Sequence, residues 1–302
     1  MSVTELETKE IQLDAPTGLW RDAWQRLIRN PAAIIGLVLV SLFVLTALFA
    51  DVIAPYDPRD SDLSRLEGSC CPGPSSEYWF GVDDVGRDQF SRVVYGARFS
   101  LLIGVVAVTV GVTFGVLLGS ISGYLGGATD TLIMRMMDIM LSIPGLLMAI
   151  GIAAMLGPGL LSVMIAVGVV NIPIFARLLR GSVLGQKHND FVLAARAVGV
   201  PRRTILFSHI LPNAISPVIV AGTLALATAI IDAAGLGFLG LGPQDPSTPE
   251  WGTMLTNTVR YLQTAPHLAI IPGLAIVVSV LGFNLIGDGL REALDPKLRG
   301  RT

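Results

Sequence analysis

The sequence predicts an all-α integral membrane protein with six transmembrane helices. Its composition supports this fold class, because the mean hydropathy is +0.66 and charged residues make up only 15% of the 302 positions. Soluble domains contain about a quarter charged residues. The apolar residues are also gathered into blocks, and a block of about 20 apolar residues allows a helix to cross the hydrocarbon core of a bilayer.

Six such blocks can be drawn along the chain. The predicted spans are residues 33–54, 99–122, 131–157, 160–180, 212–234 and 267–290. Only Gly157-Pro158-Gly159 separates the third span from the fourth, so we expect these two to form a tight helical hairpin. The first 30 residues lack an apolar core followed by a small-residue cleavage site. The first span is therefore expected to be a retained anchor and not a cleaved signal peptide.

Lys and Arg residues near the span ends predict the orientation of the chain. Basic residues precede the first span, fill the connection between the fourth and fifth spans, and follow the sixth. An even number of spans then places both termini in the cytoplasm. The first outer loop carries five arginines, which opposes this assignment. The even number of spans and the basic residues of the other loops favour it more strongly. The predicted layout is a cytoplasmic segment 1–32, a first span 33–54, an extracytoplasmic loop 55–98, a five-helix core 99–290 with a cytoplasmic loop 186–211, and a cytoplasmic tail 291–302.

The second span contains glycines at intervals of four residues. These are Gly111, Gly115, Gly119 and Gly123. This spacing places them on one helix face, where missing side chains let a second backbone approach closely. The pattern is consistent with plain close packing of two helices or with a contact that moves.

Catalytic and metal-binding patterns are absent from the sequence. It contains no phosphate-binding G-x-x-x-x-G-K-[ST], no H-E-x-x-H and no G-x-S-x-G. The three histidines are scattered without ligand spacing, and no metal site is predicted. Cys70 and Cys71 are adjacent, whereas a disulfide needs separated Cα atoms. We therefore expect two thiols in a loop and no disulfide.

A few polar residues inside the spans are candidates for a transport path. Asp138 follows Arg135 by three residues and is expected to pair with it, either as a structural pair or in contact with a solute. The others could line a path or merely bend and pack helices. They are Ser142, Pro144, Asn171 and Asp232. No row of ionisable groups crosses the membrane, which argues against a carrier that powers itself.

The connection between the fourth and fifth spans contains "AARAVGVPRRTILFSHILPN" at residues 194–213. Asn189 and Asp190 are good N-cap residues for a short helix that begins at Phe191. Its apolar face is predicted to comprise Phe191, Ala194, Ala195 and Val198.

Gly199 suits the left-handed position that ends such a helix, and Pro201 begins a second helical piece. Arg196, Arg202 and Arg203 surround the short helix. An exposed apolar face needs a cover, and either another protein or the lipid surface could supply it.

One motif in this connection resembles the EAA loop of ABC importer permeases. The motif is Ala194-Ala195-x-x-x-Gly199, followed after nine residues by His209-Ile210-Leu211-Pro212. Leu193 departs from it, since the family has Glu at that place. The resemblance implies that the loop forms a coupling helix that docks in a cleft of an ATPase subunit. The coupling residues that it implies are Phe191, Ala194, Ala195, Arg196, Val198, Gly199, Arg202, Arg203, Leu211 and Pro212.

Three further stretches, at residues 80–98, 235–255 and 283–300, are similar to the C-type permeases of the peptide/opine/nickel branch. The resemblance covers the chain from about residue 20 to its end and implies a type I ABC importer permease architecture. The implied function is that of a permease subunit for di- or oligopeptides in a bacterial inner membrane. Nickel or another small solute is the alternative within the family, and a self-powered secondary carrier or a purely structural subunit is the alternative outside it.

The resemblance also implies partners. These are a second homologous permease, two ATPase domains, an extracytoplasmic substrate-binding protein, membrane lipid and the peptide itself, with no nucleic acid. No catalytic residue and no cofactor is expected in this chain, because ATP and Mg belong to the ATPase subunits. We further expect the stretch 81–98 to form a helix on the outer face that braces the second permease or receives the binding protein.

Overall fold

The computed structural model describes residues 19–66, 70–245, 247–256 and 258–294. Parts of the predicted terminal segments, residues 1–18 and 295–302, lie outside the described residues. The α-helices are α1 (Leu19–Leu27), α2 (Pro31–Leu48), α3 (Ala50–Ile53), α4 (Gln89–Leu125), α5 (Gly127–Ser142), α6 (Gly145–Leu156), α7 (Leu160–Gln186), α8 (Asp190–Ala197), α9 (Arg202–Thr204), α10 (Leu211–Ala214), α11 (Ser216–Phe238), α12 (Trp251–Leu255) and α13 (His267–Leu294). A π-helical turn, Ile205–Ile210, links α9 to α10. The described residues form no β-sheet, so the predicted all-α class is confirmed.

Five helices, α2, α4, α7, α11 and α13, are long and apolar enough to cross a membrane. The third predicted span is broken, because α5 and α6 meet at an angle of 93°. Pro144 lies at this break and lacks the N–H that a continuous helix needs. The third span is therefore a bent pair of helices and not the single straight helix that 131–157 predicted.

α4 and α7 form the centre of the molecule, and glycines set their distance. A Cβ atom added at Gly111 would lie 2.7 Å from the Asn171 Cβ, and one added at Gly123 would lie 3.0 Å from the Val183 Cβ. Gly119 faces the Ala176 backbone, and Gly115 faces Phe175. The four glycines spaced by four residues thus form the α4 face on which α7 packs.

α2 and α13 pack on the other side of this centre. Asn30 begins α2, since its side-chain oxygen accepts hydrogen bonds from the N–H groups of Ala32 and Ala33. A Cβ atom at Gly36 would lie 2.8 Å from the carbonyl oxygen of Gly282, so α2 and α13 also approach through glycine.

The α11–α13 connection, residues 239–266, is folded into the helix bundle. Trp251 is fully buried, and its indole N–H donates to the carbonyl of Val93 on α4 at 3.0 Å. Glu250, also buried, caps α12 by accepting hydrogen bonds from the N–H groups of Gly252 (2.8 Å) and Thr253 (2.9 Å). Burial outweighs these two hydrogen bonds and raises the pKa of the Glu250 carboxyl to about 7.

The first outer loop differs from its prediction. We expected 81–98 to be a helix of its own, whereas α4 begins at Gln89, ten residues before the predicted span, and runs on into the core. Asp88 caps α4 by accepting the N–H of Ser91 at 2.7 Å. The preceding residues form a turn held by Asp83, whose Oδ1 accepts the N–H groups of Val85 and Arg87.

The two cysteines also differ from their prediction. Cys70 and Cys71 are joined by a disulfide, with a cis peptide bond between them.

Candidate functional site

The α7–α11 connection, residues 187–215, holds α8 in a defined position. Gly199 adopts a φ of +81°, in the left-handed region that favours glycine. Its N–H donates to the carbonyl of Arg196, and the N–H of Val200 donates to the carbonyl of Ala195, both at 3.0 Å. This pair of bonds is the Schellman motif that ends a helix and turns the chain.

α8 has one face in the core and one face open. Val192 and Ala195 are buried against the core residues Ile205 and Ile210. Phe191, Leu193 and Val198 are exposed by 41%, 49% and 80%. We call this surface, together with the exposed Ala194, the open face of α8.

The predicted apolar face of α8 is therefore only partly correct. Phe191, Ala194 and Val198 lie on the open face, but Ala195 contacts the protein's own core. The physical reason is that Val192 lies three residues before Ala195, which places both on the side that packs against the π-helical turn.

The second half of the connection leads rigidly into α11. Pro201 precedes α9, and Arg202 and Arg203 are exposed beside α8. In the π-helical turn, the N–H of Leu211 donates to the carbonyl of Leu206, five residues earlier. Pro212 follows at once and has no N–H to donate. A wide turn beside a proline is typical of functional positions in helices.

A basic groove of about 480 Å³ lies at the foot of α8. Lys187, Arg196 and Arg202 line it, together with Tyr124 and Leu125 at the end of α4. The Lys187 ammonium donates to the Tyr124 carbonyl at 2.7 Å and so joins the start of the connection to α4. The α4–α7 packing is thereby continued to the base of α8.

Two ion pairs join α5 to α7. Asp130 accepts two hydrogen bonds from Arg180, at 2.5 and 2.6 Å, and a third from Ser122. Asp138 binds Arg177 through Oδ1 and Nη2 at 2.5 Å. The expected pairing of Asp138 with Arg135 is wrong, because the neighbouring helix brings Arg177 to the carboxylate.

Comparison with known proteins identifies the family. Residues 115–300 match the family described as the inner membrane component of binding-protein-dependent transport systems. The chain belongs to this permease family. Residues 18–67 match the N-terminal transmembrane domain of oligopeptide transport permease C. The protein is thus a permease subunit of an ABC importer, as the motifs predicted, and not an enzyme.

Two relatives illustrate the degree of similarity. The permease is 49% identical over 281 residues to the dipeptide transport system permease protein DppC of Alkalihalophilus pseudofirmus, covering 93% of this chain and 90% of the relative. It is 49% identical over 282 residues to the glutathione transport system permease protein GsiD of Escherichia coli, covering 93% of this chain and 91% of the relative.

The fold is similar to that of a solved transporter chain. In the inward-facing MetNI methionine ABC transporter, one chain matches with a TM-score of 0.55 at 20% identity, covering 68% of this permease and 96% of that chain. The type I ABC importer permease architecture is therefore confirmed at the level of the fold.

The remaining polar candidates of the permease are not gathered in one place. Ser142 is exposed at the end of α5 and donates to the carbonyl of Ile139, and Pro144 is exposed at the break. Asn171 is buried in the α4–α7 contact and donates to the Val167 carbonyl at 2.8 Å. Its Cβ faces Gly111 across that contact. Asp232 is partly buried on α11.

Sequence reasoning missed four residues of the site: Val192, Val200, Lys187 and Arg177. Val192 carried a detectable signal, since it lies three residues before Ala195 on the buried side of α8, whereas Val200 follows the Gly199 turn and is partly buried against the core. Lys187 and Arg177 carried none, because their partners, the Tyr124 carbonyl and Asp138, are distant in sequence.

Proposed function

We propose that this permease subunit imports di- or oligopeptides, in a bacterial inner membrane, with both termini in the cytoplasm. The substrate class is supported by the relatives named for dipeptide and glutathione transport. It is also supported by the match of residues 18–67 to an oligopeptide permease domain. The proposed partners are a second permease, two ATPase domains that bind ATP and Mg, and an extracytoplasmic binding protein.

The proposal assigns α8 to docking on the ATPase. The observation that carries it is the open face of α8, on which Phe191, Leu193 and Val198 expose large apolar side chains. Apolar side chains gathered in this way mark an interaction surface. Leu193, where the EAA motif has Glu, adds to this apolar surface.

Motion of the ATPase would reach the spans through the geometry of the connection. α8 is joined to α4 and α7 through Lys187 and to α11 through the π-helical turn. A displacement of α8 therefore shifts the ends of three spans together. In this proposal, ATP-driven closure biases a two-state bundle between outward and inward access.

The test is purification of the permease in mild detergent with the proteins that accompany it identified by mass spectrometry, followed by peptide uptake into proteoliposomes. We expect a second permease and an ATPase, and uptake of a labelled dipeptide that requires ATP. Purification of the chain alone, together with uptake in the absence of ATP, would contradict the proposal.

A further inference from the structure

The Asp138–Arg177 pair differs from its neighbour in exposure. The side chains of Asp138 and Arg177 are 48% and 50% exposed, against 18% and 33% for Asp130 and Arg180. Asp130 uses both carboxylate oxygens and is bound by Ser122 as well. The Asp138 bond joins a single oxygen to a single nitrogen and leaves half of each side chain open.

Both residues lie within predicted membrane spans. Asp138 is about 10 Å along the axis inside the start of its predicted span, and Arg177 is about 4–5 Å inside the end of its own. Charged side chains at such positions face protein or a water-filled cavity, because lipid does not solvate them. The open side of this pair is therefore not expected to face lipid.

The helix break gives an independent indication about the same surface. α5 ends at Ser142, and all residues from Leu141 to Leu147 are exposed. Their backbone is interrupted at Ile143 and Pro144. Non-helical backbone at membrane depth occurs only where protein covers it or a water-filled cavity lies beside it. The end of α5 and the ion pair one turn before it thus share a boundary with protein or water and not with lipid.

A carboxylate and a guanidinium in contact match the two ends of a peptide. Arginine binds a carboxylate through its planar donors, and Asp138 accepts from an ammonium. A peptide with both charged ends can exchange these contacts without leaving a charge unpaired. Such an exchange binds the solute weakly. Weak binding suits a transport path, because the solute must also dissociate from it.

We propose that Asp138 and Arg177 form a contact on the transport path that selects solutes with a free ammonium and a free carboxylate. Arg177 binds the terminal carboxylate of a short peptide, and Asp138 binds its terminal ammonium. The inference rests on the proposed import of peptides, and adds the groups that the path recognises.

The test uses the complete transporter in proteoliposomes with its binding protein. Three labelled probes, dialanine, N-acetyl-dialanine and dialanine amide, are supplied at concentrations that saturate the binding protein. We compare Asp138→Asn, Arg177→Gln and Arg177→Lys with Arg135→Gln, which removes an exposed charge from the same helix. Co-purification and basal ATPase activity report whether each variant assembles.

Loss of one charged hydrogen bond predicts about a tenfold change. Asp138→Asn should lower dialanine uptake by about that factor and abolish the preference over the acetylated peptide. Arg177→Gln should abolish the preference over the amide, and Arg177→Lys should restore it. Arg135→Gln should retain both preferences.

Two results would overturn the inference. If assembled variants keep the wild-type preference for free termini, the pair is structural and peptide import stands. If the wild-type transporter takes up none of the three peptides, the proposed import of dipeptides fails and the inference fails with it.

Discussion

The two connections that flank α11 use apolar and polar residues in opposite ways. The α7–α11 connection exposes Phe191, Leu193 and Val198. The α11–α13 connection buries Glu250 and Trp251 completely. The first is folded but leaves apolar surface uncovered within this chain. The second is complete within this chain, since its carboxylate and indole are hydrogen-bonded to the protein's own backbone.

Replacement of Trp251 should have the largest effect, and it tests whether the α11–α13 connection is part of the core. Trp251→Ala removes a fully buried indole and should lower the free energy of unfolding by about 3–5 kcal/mol. Chemical unfolding in mixed micelles measures this change. Trp79→Ala is the control, because Trp79 is 60% exposed and should change stability by less than about 1 kcal/mol. If Trp251→Ala and Trp79→Ala lowered the free energy of unfolding by equal amounts, the α11–α13 connection would not be part of the core.

The second prediction concerns pH. The native pKa of Glu250 is about 7, above the usual 4.5, so the folded protein holds a proton that the unfolded chain releases. Stability should therefore fall as pH rises from 4.5 to about 7, by up to about 3 kcal/mol. Unfolding at pH 5 and pH 8 measures the difference.

Glu250→Gln is the matched variant for this pH dependence. Glutamine does not titrate, so most of the difference in stability between pH 5 and pH 8 should disappear. A pH difference of wild-type size in Glu250→Gln would assign the effect to another group.

The third prediction separates backbone conformation from packing at Gly199. A Cβ atom there meets nothing within 4 Å, so only the φ of +81° restricts the residue. Gly199→Val should cost about 1–3 kcal/mol in local strain, displace α8 and uncouple ATP hydrolysis from uptake. Uptake per ATP hydrolysed is the measurement. Gly199→Asn should retain coupling, since asparagine tolerates this conformation. If Gly199→Val kept normal uptake per ATP hydrolysed, the left-handed conformation would not be required for coupling.

The smallest change in stability is expected on the open face of α8. Val198→Ser should alter the free energy of unfolding by less than about 0.5 kcal/mol, since Val198 is 80% exposed. It should nevertheless weaken binding of the ATPase, measured by titration with the purified subunit.

Val192→Ser is the counterpart on the buried face of α8. It should destabilise the permease by about 1–3 kcal/mol, because it leaves a hydroxyl in an apolar site. If Val198→Ser destabilised the protein as much as Val192→Ser, the open face would be part of the fold and not a docking surface.

Local patterns predicted much of the structure. Apolar blocks predicted the five unbroken spans, and the glycines at intervals of four residues predicted the face on which α7 packs. The left-handed conformation of Gly199 followed from its place between a short helix and Pro201. In each case, the property belongs to residues close together in the chain.

Contacts between distant residues were not predictable in the same way. The partner of Asp138 is Arg177, on another helix, although Arg135 is nearer in sequence. The face of α8 that contains Ala195 is buried because the π-helical turn packs on it. Glu250 and Trp251 occur in a stretch rich in proline and glycine that gives no sign of burial.

The apolar segments, the glycine turn that ends α8 and the family motifs follow from the residues themselves, because hydropathy, helix periodicity and capping act over a few residues. Packing of the whole chain sets which face of α8 stays open, where α5 and α6 bend, and which charges meet between α5 and α7. Those properties depend on which surfaces pack against one another, and packing joins residues that are remote in the chain.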